Sequence, residues 1–179
     1  WKEELDEKLF KEYLGGRCIN ARLLWDLVPQ GADPLGPKNV LIIGTGTLSG
    51  THAPSSGRTT ITFKSPATGL YAKSSGGGHF GPELKYAGYN HIVVHGCSKK
   101  PVYIWIENDK VEIRDASEIW GLQVTDTDEA IKRDLGRENI ETLCIGPSGE
   151  NLVKFAGIML SVGCAAARAG GGTLMGSKK

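Results

Sequence analysis

Glycine constrains this chain more than any other residue: 25 of its 179 positions are Gly, about twice the usual share of roughly 7%, and they come in clusters. The densest cluster lies in "YAKSSGGGHFGPELKYAG" (71–88), where Gly76, Gly77 and Gly78 separate a serine pair from a helix start. Three residues without side chains act only through their backbone. The segment is therefore expected to be a loop lying close against something else.

The rest of the composition narrows the class. Length allows a real core and favours one domain. With 40% apolar and 23% charged residues, the chain reads as an ordinary globular protein. A formal net charge of +1, with the charges dispersed, gives no basic face for nucleic acid. No apolar run approaches the roughly 20 residues that span a bilayer, and the first residues do not read as a signal peptide, so no membrane partner and a cytoplasmic location are expected. Cys18, Cys97, Cys144 and Cys164 are far apart with no CxxC pair. They spell neither a zinc site nor an iron-sulfur site and read as reduced, mostly packed thiols.

Leu5, Leu9 and Tyr13 recur at four-residue spacing, which predicts a helix over 2–14 stopped by Gly15-Gly16. A second short helix, "INARLLWDL", should end before Pro29. Strands are expected at 39–43, 59–63, 91–96 and 102–106, the last opening a hairpin that turns at Asn108-Asp109. Residues 125–136 predict a helix capped by Asp or Thr near 126–128 and terminated by Gly136, and "ETLCIG" after it reads as a strand. No internal repeat is visible, and strands do not alternate regularly with helices. The expected fold class is α+β, mixed β-sheets with short flanking helices, in one compact domain over residues 1–179.

Several familiar patterns fail on inspection. "VLIIGTGTLSGT" opens like a dinucleotide fingerprint, but "HAPSSG" breaks any helix after it and position 64 is Lys instead of an acid. His91 and His95 are four apart in a strand-like stretch, roughly 13 Å at the rise of a strand, too far to share one metal. Neither Ser74 nor Ser75 has a recognisable base, and no GxSxG elbow is present.

Three backbone-rich segments remain: "APSSGRTTITFKSPATG" (53–69), "KSSGGGHFGPELKYAGY" (73–89) and "CAAARAGGGTLMGSKK" (164–179). Each joins small residues to at least one cation, which suits a large polar ligand bearing phosphate. Together with "YLGGR", "DPLGPKNVLI", "YAGYNHIVVHG", "KPVYIWI" and "CIGPSGENLVKFAGIM", their order and wording closely resemble the N-terminal domain of the tungsten-containing aldehyde ferredoxin oxidoreductases, over about the whole chain.

That resemblance implies a bis-pterin cofactor whose dithiolene sulfurs hold tungsten or molybdenum, with magnesium bridging the pterin phosphates. Carried over position by position, it makes Arg58 and Arg168 phosphate contacts and places Ser74, Ser75, Gly76, Gly77, Gly78, Ala167, Ala169 and Gly170 around the cofactor. Ser75 stands where the family usually has Asn, and so becomes the candidate magnesium contact. Lys73 and Cys164 depart from the family's usual Asp and Arg. Glu83 and Lys85 match the pattern but are explained by a short helix that Gly81 caps and Gly88 ends, and no residue is assigned as catalytic.

The family's polypeptide is several times longer, and its 4Fe-4S cluster ligands lie in later domains. By this resemblance the chain is a first domain that alone should not turn over substrate. The whole enzyme would oxidise an aldehyde to a carboxylic acid with ferredoxin as electron acceptor. Surface left uncovered by the missing domains would favour a homodimer. The departures at Lys73, Ser75 and Cys164 motivate one alternative: an interaction or assembly module that kept the fold and lost the cofactor.

Overall fold

The computed structural model describes residues 1–179. Helix α1 (Glu7–Tyr13) begins where Asp6 accepts a hydrogen bond from the Lys8 amide at 2.9 Å, and it buries no residue. It is shorter than the expected span, and Leu14, not a glycine, takes the left-handed cap conformation at φ 61°. Helix α2 (Gly16–Leu27) turns Ile19, Asn20 and Leu24 inward and stops at Val28, since Pro29 disfavours a helical residue before it.

Four strands follow, β1 (Leu41–Thr45), β2 (Thr59–Lys64), β3 (Tyr71–Gly76) and β4 (His91–Val94), with helix α3 (Phe80–Tyr86) between the last two. They form one antiparallel sheet in the order β3-β2-β1-β4. Asn20, fully buried, fixes α2 to this sheet: its amide donates to the Thr60 carbonyl at 3.0 Å and the Thr62 hydroxyl at 3.2 Å. Buried polar atoms need such partners, because an unmade bond in the interior costs about 1–3 kcal/mol.

Strands β5 (Val102–Glu107) and β6 (Lys110–Asp115) pair only with each other, turning at Asn108 with φ 50°. Next come helix α4 (Val124–Leu135), β7 (Leu143–Cys144), the short α5 (Pro147–Glu150), β8 (Ile158–Leu160), β9 (Cys164–Ala166) and helix α6 (Gly171–Lys178). The last three strands make an antiparallel sheet in the order β7-β8-β9.

One arrangement is present twice, although no repeat is visible in the sequence. A 12-residue helix (α2, then α4) leads into a three-stranded antiparallel meander (β1-β2-β3, then β7-β8-β9). A glycine triplet (Gly76–Gly78, then Gly170–Gly172) and a helix (α3, then α6) complete each half. In the first half the chain runs on into β4, which pairs along the far edge of β1.

The halves meet along β3 and β9, where the Arg168 amide donates to the Ser74 hydroxyl at 3.2 Å. Leu41, Ile43, Ile61, Phe63 and Ala72 from the first half pack with Ile145, Ile158, Leu160, Ala166 and Leu174 from the second in one core cluster. Each large side chain buried there contributes about 1.5–3 kcal/mol.

The seam corrects the reading of "SSGGG" as a loop. Ser74, Ser75 and Gly76 belong to β3, opposite Ile61, Ser75's partner Thr60, and Thr59, and the loop starts only at Gly77. Ala72, Ser74 and Gly76 alternate inward against β9, so small residues are required by packing between halves. Two smaller expectations also change. Helix α4 starts at Gln123 without a side-chain cap, and Cys18 and Cys97 are exposed, leaving only Cys144 fully buried.

Candidate functional site

Arg58 sits immediately before β2, whose first residue, Thr59, lies opposite Gly76 in the ladder. Gly57 lies over the following loop: a Cβ there would stand 3.4 Å from the Gly78 carbonyl oxygen. On the other flank the loop backs onto the β8–β9 turn. A Cβ on Gly77 would meet Cys164 Sγ at 3.7 Å, and one on Gly78 would meet Ser161 Oγ at 3.2 Å. The result is a corner with a backbone floor at Gly77 and Gly78, walled by Gly57 on one side and by Ser161 and Cys164 on the other.

The three segments singled out in the sequence therefore converge here. Arg58 and Arg168 are both exposed, and neither pairs with a carboxylate of the chain. A guanidinium carries five donors in a planar fork, so each of these unpaired groups is suited to phosphate, Arg58 following Gly57 at the corner and Arg168 beside Ser74 on the seam. Gly78 has φ 86°, a conformation that Gly adopts without strain and that turns the chain out of β3.

The other predicted residues take different positions. Ser74 and Gly76 are buried in the seam, Ser74 accepting from Arg168 and Gly76 packed against Leu160. Ser75 is half-buried, with its hydroxyl 3.2 Å from the Thr60 hydroxyl. Ala167 is exposed and touches Gly157, in a shallow cavity of about 400 Å3 near the starts of α4 and α5. The Ala169 carbonyl accepts from the Ser65 hydroxyl at 2.8 Å, and Gly170 is held against the Lys154 carbonyl at the start of α6. Neither Gly57 nor Ser161 stands out in the sequence on its own. The spelling "SGR" at 56–58 is the signal available for the first, and for Ser161 there is none.

Strain collects at the same place. Ser161 and Val162 both adopt left-handed backbone, at φ 51° and 54°, which for a β-branched residue costs about 1–2 kcal/mol. Ser161 Oγ is enclosed without a hydrogen-bond partner.

The titratable groups that burial perturbs sit on other elements. His91 on β4 has both ring nitrogens enclosed and unpartnered. Burial lowers its pKa to about 4, the Lys85 charge adding to the effect while the Gly16 backbone opposes it. Cys144 on β7 is raised to about 11, by burial and then by the Asp128 charge. Burial also lowers Lys178 at the end of α6, whose ammonium donates to the Asn39 carbonyl. Nowhere do three or more His, Cys, Asp or Glu side chains converge to hold a metal ion, so a metal at the corner would have to arrive with its own ligands.

Comparison with known proteins agrees over the full length. The family described as aldehyde ferredoxin oxidoreductase, N-terminal domain, matches residues 1–179. The tungsten-containing aldehyde ferredoxin oxidoreductase of Thermococcus kodakarensis is 52% identical over 99% of this chain, and that of Pyrococcus furiosus is 50% identical over 98%. The chain spans 29% of the length of each. An aliphatic sulfonate oxidoreductase, WOR-like subunit, of Pyrococcus furiosus is 36% identical over 98% of the chain. Among solved structures, the active site complex BamBC of benzoyl coenzyme A reductase with 1,5-dienoyl-CoA superposes with a TM-score of 0.96 at 44% identity, covering 98% of this chain and 27% of that one.

Proposed function

The chain belongs to the aldehyde ferredoxin oxidoreductase family, as its N-terminal domain, and from that premise we propose that it forms the surface on which a tungsten (or molybdenum) bis-pterin cofactor rests. The reading is supported above all by Arg58 and Arg168, two exposed residues without carboxylate partners, the first following Gly57 at the Gly77–Gly78 corner and the second beside Ser74 of the adjoining strand. Their forks match phosphate oxygens, and the glycines let that phosphate approach main-chain amides. The Ser75 hydroxyl, bonded only to Thr60, keeps a lone pair for magnesium or its water.

A cofactor whose metal is held by its own sulfurs asks the protein for few ligands, which agrees with the lack of any His, Cys, Asp or Glu cluster. When bound, it would supply the two-electron chemistry of aldehyde oxidation to a carboxylic acid. The residues of this domain would fix its phosphates and exclude other orientations. Electron transfer through a 4Fe-4S cluster to ferredoxin would rely on parts of the polypeptide outside residues 1–179, as would the shaping of the aldehyde site.

The test is made on the full-length protein from its native host. Replacing Arg58 by Ala (Arg58→Ala) is expected to lower tungsten and pterin content severalfold while leaving the circular dichroism of the fold intact. Unchanged tungsten and pterin in that variant would remove Arg58 from the site. A wild-type protein free of both would favour a module that kept the fold and lost the cofactor.

A further inference from the structure

A second opening, which shares none of the corner's residues, differs from it in chemistry. It is an apolar groove of about 700 Å3 bordered by Ile92 and Val94 of β4, Ile104 of β5, Leu143 of β7, and Met175 and Lys178 of α6. Core residues Leu41, Ile43 and Ile145 reach its floor. Interiors are packed as densely as organic crystals, so core side chains facing a gap of this size forgo the contacts that ordinarily hold them. The strands at its border carry free edges: β4 pairs only with β1, and β7 only with β8.

The internal duplication says what belongs there. In the first half the strand after the glycine triplet and helix, β4, returns antiparallel along the outer edge of β1, pairing Leu41 with Val94 and Ile43 with Ile92. In the second half the corresponding edge, that of β7, has no such partner. Helix α6 is anchored at this point, by the Lys178 ammonium on the Asn39 carbonyl and by the Ser98 amide, which donates to the Lys178 carbonyl at 2.8 Å. The relatives that match this chain exceed it more than threefold in length, since it covers 29% of them, so they hold polypeptide in which such a strand could lie.

We propose that the groove is a strand-addition site, filled by an extended apolar segment of the same polypeptide downstream of α6. That segment pairs antiparallel with the free edge of β7, as β4 pairs with β1. Its main-chain bonds satisfy the edge, and its inward side chains cover Leu143, Ile145 and Met175. The proposal does not depend on the cofactor, so metal content plays no part in its test.

The experiment uses the full-length protein with a protease site introduced just after residue 179. Amides of residues 142–145 are expected to exchange hydrogen about 100-fold more slowly than those of an open edge. After cleavage, the downstream segment should co-elute with the domain and keep that protection. A proline scan through the segment should remove the protection at alternate positions, those whose amides face β7. Fast exchange at 142–145 in the intact protein overturns the proposal. So does protection that survives every downstream proline and disappears instead when residues before Trp1 are deleted or when a dimer is diluted to monomer.

Discussion

The two glycine triplets stand at or beyond the end of the third strand of each half and differ in how much of each is enclosed. At Gly170–Gly172 the absent side chains admit other backbone: a Cβ on Gly172 would lie 2.2 Å from the Gly157 carbonyl oxygen. At Gly77 the nearest atom to such a Cβ is Cys164 Sγ at 3.7 Å, an ordinary contact. The second triplet is closed by the protein's own chain, whereas in the first Gly76 is packed against Leu160 and only Gly77 is left open. The same residue type thus serves close packing at Gly76 and throughout Gly170–Gly172 and leaves backbone accessible at Gly77, and only the surroundings tell these positions apart.

Substitution should expose this difference first. Gly172→Ala pushes a methyl group into backbone that cannot move aside, and overpacking of that kind is expected to cost about 3 kcal/mol or more. Urea denaturation of the two proteins measures it, and a loss below about 1 kcal/mol would mean that α6 has room to slide.

Acid and alkali should separate the halves next. His91, in the first half, has a folded pKa of about 4 against an ordinary 6.5. The unfolded chain therefore binds the proton first as pH falls. Stability is complete above about 6.5 and declines toward pH 4 by up to about 3 kcal/mol, a slope that His91→Phe should flatten. Cys144, in the second half, is raised to about 11 from 9.0, so the unfolded chain loses its proton first and stability declines between those values as pH rises. Denaturation midpoints at pH 4.5, 7 and 10 for His91→Phe and Cys144→Val test both, and a variant whose profile parallels the parent's would acquit the residue it replaces.

The smallest effect on the fold is expected from Gly77→Ala. It should change stability by no more than about 0.5 kcal/mol, the range of substitutions that meet no clash or strain. The same change in the full-length protein should reduce bound tungsten and pterin. A variant that loses stability while keeping its cofactor would reverse the roles assigned to Gly77 and Gly172.

How much of this is legible in the sequence depends on how local its cause is. The hairpin at Asn108-Asp109, the helix ending at Gly136 and strands β1, β2 and β4 follow from local periodicity and turn residues, to within about two positions at most ends. Strand β3 does not, because Ser74, Ser75 and Gly76 have poor strand propensity and are held there by pairing with β2 and by packing against the second half, some 90 residues away. The duplication is hidden for a similar reason. The halves share an order of elements, not a spelling, and "TTITF" and "GIML" have little in common beyond apolar character. The corner at Gly77 and Gly78 is legible as a candidate site through the family wording of its three segments. Gly57 and Ser161 join it only because the chain folds that way.

The shared core has a further consequence for how such a chain comes into being. With Leu41, Ile61 and Phe63 completed by Ile158, Leu160 and Leu174, the first half buries Leu24, Val40 and Ile42 beneath α2 but leaves the other face of its sheet without cover of its own. During synthesis its sheet must wait, apolar face uncovered, until the last third of the domain has left the ribosome. Contacts so distant in sequence slow folding, and an exposed strand edge is open to wrong partners meanwhile. The seam between Ser74 and Arg168 is thus also a clock: translation to that point sets the earliest moment at which the domain can close.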